Sequence, residues 1–181
     1  NCKTNLEYPL AVTTNVTEIS SGGTHTIIEK TDKKLYGTGD MYQTPTFEEI
    51  AIPETVTDLN PVKYFKTGYN TTTIMLKDGK VYGEGGNTKG ELGIGTTENA
   101  TRFTQGLTFH DLPLTSVLTI GRNIGGLNST AILENGDIYT TGDNTNGQIG
   151  DGTNENKTYY TKMEKTSEVE INKKNEYIKI G

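Results

Sequence analysis

"DNTNGQIGDGT", Asp143 to Thr153, is a polar loop with glycines at 147, 150 and 152, and it follows the run "AILENGDIYTTG". The chain writes this loop once before. "GNTKGELGIGT", Gly86 to Thr96, follows "IMLKDGKVYGEG". A loop duplicated together with its flanks marks an internal repeat, which decides the architecture before any single residue does. The match extends outward from the loops. "KDG", Lys77 to Gly79, corresponds to "ENG", Glu134 to Gly136, with "TIML" and "TAIL" upstream and "KVYGEG" and "DIYTTG" downstream. Each unit reads strand, tight turn, strand, glycine, loop. The Asp-Gly and Asn-Gly pairs predict two-residue hairpin turns in which both central residues take positive φ.

A third, worn copy precedes these two. "HTIIEKTDKKLYGTGD", His25 to Asp40, aligns with "TDKK" in place of the glycine turn. Tyr36, Tyr82 and Tyr139 form one column, at intervals of 46 and 57 residues. Gly39, Gly85 and Gly142 form a second, and Gly22, Gly68 and Gly125 a third, at the same intervals. The turn glycines Gly79 and Gly136 have no counterpart in the first copy. The closing "YIKIG", ending at Gly181, resembles "VKYFKTG", Val62 to Gly68. The chain therefore divides into units at about 16–61, 62–116 and 117–176, with 177–181 opening a further one, within a single repeat domain spanning 1–181.

The segments between units vary in length and are polar. Phe47, Ile50, Ile52 and Val56 in the first, and Phe103, Leu107, Phe109 and Leu112 in the second, predict further short strands. Four strands in about fifty residues make one blade. A lone four-stranded sheet cannot cover both its faces, so blades stack around an axis. The expected fold is all-β, a partial β-propeller of about three four-stranded blades. The repeated loop then has a structural reading. Leu92 and Ile149 are single apolar residues in polar surroundings and serve as plugs that pin the loop onto the next blade. Gly90, Gly93, Gly147 and Gly150 sit where the chain must turn.

These columns resemble the RCC1 repeat, a glycine followed by a His-like polar residue, a glycine turn, Val-Tyr, an aromatic-glycine pair, Asn, and Gly-Gln-Leu-Gly. Leu76 to Thr96 and Leu133 to Thr153 match most positions. The first unit matches at Gly22, His25, Leu35, Tyr36, Gly37 and Gly39, then loses the Gly-Gln-Leu-Gly loop. Two columns depart: the family's aromatic is Glu84 or Thr141 here, and its His is Thr71 or Asn128 in the later units. The resemblance implies blades of a seven-bladed RCC1-like propeller, with His25 in a structural hydrogen-bonding position. Three units make an arc, either excised from a longer chain or completed by self-association into a ring. Open edges are liabilities unless covered.

No convergent chemistry accompanies the repeats, and the expectation is no catalytic residue, no cofactor and no metal. His110 and Asp111 adjoin in "TFHDLPL", but neighbours on an extended segment point to opposite faces. No Gly-x-Ser-x-Gly nucleophile motif occurs. Counted from Asp143, the loop places Gly147 and Gln148 where a calcium loop needs an oxygen ligand and a glycine. The glycine-rich loops also lack the Gly-Lys-Ser/Thr ending of a phosphate loop. Net charge is −6. The basic stretch "INKKNEYIKI" lies beside Glu168, Glu170 and Glu176, which argues against a nucleic-acid partner. A single cysteine, Cys2, excludes an internal disulfide and reads as an exposed terminal thiol or, alternatively, a lipid-attachment point. No apolar run approaches membrane-spanning length. Asn-x-Ser/Thr sequons begin at Asn15, Asn70, Asn99, Asn128 and Asn156 and are uninformative in so Thr-rich a chain.

The functional expectation is a non-enzymatic protein-binding or scaffold module, secreted or on a bacterial cell surface, whose partner binds the loops of one propeller face. The resemblance implies two alternatives, a guanine-nucleotide exchange or regulatory propeller and a propeller-type protein inhibitor of an enzyme. Tyr42, Phe103, Tyr159 and Tyr160 are candidate aromatic anchors by position, with core packing the plainer reading.

Overall fold

The computed structural model describes residues 13–122 and 126–164, and no helix occurs among them. Cys2, Gly125, the basic stretch and the opening of a fourth unit lie outside the described residues. Three sheets, built mainly of antiparallel pairs, follow one another along the chain. The first contains β1 (Val16–Ser21), β2 (His25–Lys30), β3 (Leu35–Gly39) and β4 (Thr44–Glu49). The second contains β5 (Val62–Thr67), β6 (Thr71–Leu76), β7 (Val81–Gly85) and β8 (Ala100–Gln105). The third blade is built on β11 (Val117–Arg122), β12 (Asn128–Leu133), β13 (Ile138–Gly142) and β14 (Lys157–Lys162). Strand order equals chain order within each blade. β1 touches β5 and β5 touches β11, so the first strand of each blade lines the axis and the fourth lies outermost.

The third sheet has six strands rather than four. β9 (Leu107–Thr108) and β10 (Leu112–Pro113) form a small hairpin in the connector after β8. That hairpin leaves the second blade and adds to the outer edge of the third, with Thr108 paired in parallel to Tyr160 of β14. It is seated by Leu114, which is buried in the core beneath it, and by the amide of Leu107 on the carbonyl of Gly93 at 2.7 Å.

The core lies between blades. Ile27, Leu35, Phe65, Ile74, Leu76 and Phe103 join one cluster between the first and second blades. Met75, Val81, Leu114, Ile120, Ala131 and Tyr160 join another between the second and third. β6 is therefore buried at all six positions, because alternate side chains enter different clusters. β2 and β12, each with one described neighbouring blade, are buried only in part.

The repeat is also written in the backbone. The ladder of the first two strands bulges after Val16, Val62 and Val117. Gly39, Gly85 and Gly142 all take φ near +103° to +105°, and a Cβ there would sit 2.2–2.3 Å from the carbonyl oxygen of Thr24, Asn70 or Leu127. No other residue type satisfies both demands.

The β6–β7 and β12–β13 turns differ from the two-residue form expected. Gly79 and Gly136 have positive φ, but Asp78 and Asn135 do not. The amide of Gly79 bonds Leu76 and that of Gly136 bonds Leu133, leaving the glycine as the left-handed residue after an ordinary turn. Asp78 and Asn135 accept the amides of Lys80 and Asp137 at 3.1 and 3.0 Å. Asp32 does the same for Lys34 at 3.0 Å, so "TDKK" makes the same turn with Lys33, φ 65°, in the glycine's seat. A left-handed lysine costs about 1 kcal/mol relative to glycine. Lys33→Gly is accordingly expected to raise stability by about 0.5–1 kcal/mol in urea unfolding, whereas Gly79→Lys in the second blade lowers it.

Candidate functional site

Two kinds of feature occupy the blade surfaces. Seams join one blade to the next, and one hairpin joins nothing further. The seams account for most of the repeat positions. Gly22 lies against the second blade so closely that a Cβ would meet the Gly68 carbonyl at 2.1 Å, and the amide of Gly23 bonds that same oxygen at 3.2 Å. His25 crosses the seam, its Nε2 2.9 Å from Thr72 Oγ1 in a buried contact. Its ring meets Tyr42 edge-on at 5.9 Å.

The repeated loop makes the second seam. Asn87, fully buried, donates from Nδ2 to the carbonyls of Thr96 and Glu98 and accepts the Leu92 amide on Oδ1 at 2.9 Å. Its own amide bonds Asn99 Oδ1 at 3.0 Å. Asn144 repeats the set, accepting from Ile149 at 2.8 Å, donating to Thr153 and bonding Asn156. Leu92 packs on Gly83 of its own blade, and the contacts with the next blade come from its neighbours. Thr141 Oγ1 lies 2.8 Å from the Gly90 carbonyl, Ser129 bonds the Glu91 carbonyl, and Gly93 lies against the Tyr160 ring. The pin onto the next blade is thus mainly backbone, with Leu92 holding the loop down. Ile149 is fully buried, Gly147 and Gly150 take left-handed φ, and Gly150 packs on Met163. The first blade has no such loop, and Tyr42 takes Leu92's place, its ring over Gly37.

The tyrosine column is not uniform. Tyr82 is buried with its hydroxyl 3.1 Å from Thr55 Oγ1, and Tyr139 packs beside the second cluster. Tyr36 donates to Asp32 at 2.8 Å under the ammonium of Lys30. Asp151 is nearly enclosed. Burial works to raise its pKa, but Lys157 at 2.9 Å and the hydroxyl and amide of Thr153 outweigh that and hold it at about 2.

The β9–β10 hairpin has a different character. Its tip is not extended, as the reading of "TFHDLPL" assumed, because His110 and Asp111 both take left-handed φ, 69° and 56°. Their side chains engage different partners. His110 stacks on Phe109 at 4.2 Å, and Asp111 accepts the Tyr159 hydroxyl at 2.8 Å. Phe109 is 69% exposed and Leu112 59%. A cleft of about 620 Å³ runs beside them along β14, lined by Thr108, Phe109, Tyr159 and Lys162 among others. Of the four aromatics picked out by position, Phe103 and Tyr160 are core, Tyr42 is packed against it, and Tyr159 belongs to this surface. Phe109 and Leu112 were expected only as strand residues. The signal that finds Asn99 and Asn156 is their interval of 57 residues, the same as for Asn87 and Asn144.

Comparisons with known proteins converge on these repeats. A family model described as "Regulator of chromosome condensation (RCC1) repeat" matches residues 123–148. The X-linked retinitis pigmentosa GTPase regulator of Canis lupus familiaris is 36% identical over 145 residues, covering 74% of this chain and 14% of that protein. The Mus musculus protein of the same name is 35% identical over 138 residues, covering 73% and 13%. The chain thus spans about one seventh of the length of these relatives. Among solved structures, yeast RCC1 (Prp20) bound to Kap60 superposes with a TM-score of 0.69 at 20% identity, over 85% of this chain and 38% of that one. Human WBSCR16 gives 0.67 at 18%, over 87% and 42%. These likenesses show the fold, an arc of an RCC1-type β-propeller.

Two outcomes follow for the loop. Asn87→Ala is expected to cost about 2–4 kcal/mol in denaturant unfolding, since it strands the Leu92 amide and two carbonyls. The stabilisation from Asp151 is fully present above its ordinary carboxylate value, 3.8, and is lost as pH falls through about 2. Asp151→Asn is therefore less stable than the parent near neutral pH, and thermal melts at decreasing pH should show that difference closing across that window.

Proposed function

We propose, from the premise that the chain is built of RCC1 repeats, that it is a non-catalytic protein-binding module whose principal contact is the hairpin on the outer edge of the third blade. The observation that carries this reading is the hairpin tip. Two consecutive non-glycine residues in the left-handed region cost on the order of 1 kcal/mol each. Phe109 and Leu112 flank this tip and stand exposed to solvent. Exposed aromatic and aliphatic side chains on a rigid projection are the anchors that protein interfaces use.

The comparisons support the class of function without supplying a partner. Prp20p is described with binding properties to Gsp1p and histones, and the mammalian relatives are named as GTPase regulators. Those names favour the regulatory reading as the second candidate. Accelerated nucleotide release from a small GTPase on adding the chain supports it, and an unchanged release rate across a GTPase panel removes it. A location outside the cell, secreted or on a bacterial surface, rests on the acidic, Thr- and Asn-rich composition, and recovery of the protein in the cytoplasmic fraction alone contradicts it. Self-association to close a ring is read by light scattering, where a persistent monomer rules it out.

The hairpin itself is tested with Phe109→Ser combined with Leu112→Ser. Both side chains are exposed, so the melting temperature is expected to stay within about 2 °C of the parent. Partners captured from extracts of the source organism and identified by mass spectrometry should fall at least tenfold. Equal capture by parent and variant moves the binding surface elsewhere.

A further inference from the structure

The seam between the first and second blades opens into a cleft of about 480 Å³ on the face that carries the β1–β2 and β5–β6 turns. Its floor is Glu84, which stands where the family has an aromatic. One wall is Tyr69, 55% exposed, whose ring packs on Gly23 of the neighbouring blade. Asp40 and Met41, from the loop after β3, form the opposite rim with Thr24. Hydrogen bonds across the seam fix this frame. The amide of Thr24 bonds the Tyr69 carbonyl at 3.0 Å, and the amide of Asp40 bonds the Thr24 carbonyl at 2.9 Å.

Glu84 does not fit this seam as a structural residue. Its Oε2 is out of contact with solvent and has no hydrogen-bond partner. A second, smaller cleft reaches it from behind, lined by Tyr42, Thr44, Glu48 and Glu49 of the first blade. The ionisable groups that face it are thus Asp40, Glu48, Glu49 and the Tyr42 phenol; Glu49 is already paired with the Lys34 ammonium at 2.8 Å, and no basic side chain lines either cleft. Thr141, at the same position in the third blade, completes its seam by hydrogen-bonding the preceding blade's loop. A buried carboxylate oxygen with no donor is destabilising, and such groups persist where a ligand supplies the missing partner.

We infer that this cleft receives an arginine side chain of a protein partner, with the guanidinium on Glu84 and its flat face against Tyr69. The chemistry selects that occupant. Lys34 is taken up by Glu49 and none of the ion pairs among the described residues reaches Glu84, so the ligand is a cation. No group of three His, Cys, Asp or Glu that could hold a metal ion occurs among the described residues, and the exposed Tyr69 ring beside the carboxylate favours an organic cation. An aromatic wall beside a carboxylate suits a planar guanidinium, which stacks and donates a forked pair of hydrogen bonds together. The chain's net charge of −6 draws a basic partner toward it. This site is separate from the β9–β10 hairpin, and either can fail without the other.

Burial holds the Glu84 carboxyl up at about 7, so ionisation and cation binding are linked. Binding a cation requires the charged form, and affinity should fall about tenfold between about pH 8 and about pH 6. The test is an NMR titration of the full chain with acetyl-Gly-Arg-Gly-amide and with its neutral citrulline counterpart. The arginine peptide is expected to shift the amides of Thr24, Tyr69, Gly85 and Gly86, with at least tenfold higher affinity than citrulline. Glu84→Gln should abolish that preference while raising the melting temperature near pH 8, because it removes an uncompensated buried charge. A higher melting temperature separates loss of the site from loss of the fold. Equal binding of the two peptides, or undiminished arginine binding by Glu84→Gln, overturns the assignment.

Discussion

A four-stranded sheet with apolar side chains on both faces has to be covered twice, and everything else in this chain follows from how that is done. β6 shows the solution at its fullest. Ile74 and Leu76 face the first blade's core and Met75 the third's, and no position of the strand reaches solvent. The second blade is thus stabilised by its neighbours more than by its own hydrogen bonds, which any hairpin would make. Stability of this kind resides in the interfaces between repeats.

An interface between two sheets needs something to fix its register, because apolar contact alone is non-directional. The buried asparagines supply it. Asn87 satisfies its side chain within its own loop, and the loop becomes rigid enough for its backbone to receive Ser129 and Thr141 from the next blade. The first blade lacks the asparagine loop and uses other means, with His25 reaching Thr72 and Tyr42 covering Gly37. The seam it makes is less complete, and that is where Glu84 lies with an unsatisfied oxygen. The seam with the weakest structural solution is also the one with room for a ligand.

Much of the fold was legible because backbone constraints leave local marks. Gly39, Gly85 and Gly142 announce a left-handed strand end, and the paired loops announce a turn that cannot be made otherwise. The turn type was misread because Asp-Gly serves two hairpin geometries, and only the Asp78 to Lys80 hydrogen bond with Gly79 alone at positive φ separates them. Phe103 in β8 and Phe109 at the hairpin tip just after it are the same residue type, and one is core while the other is exposed. What divides them is the parallel pairing of Thr108 with Tyr160, a contact between the end of the second unit and the last strand of the third that no local pattern encodes.

The central claim is that blades protect one another, with the middle blade protected from both sides. Native-state hydrogen exchange on the intact chain reads this strand by strand. The amides of Thr72 to Leu76, together with that of Leu92 on Asn87, should be the slowest to exchange, with the edge strands of the first and third blades opening earlier at lower free energy. Equal protection of β2, β6 and β12, or early exchange at Leu92, would contradict the account.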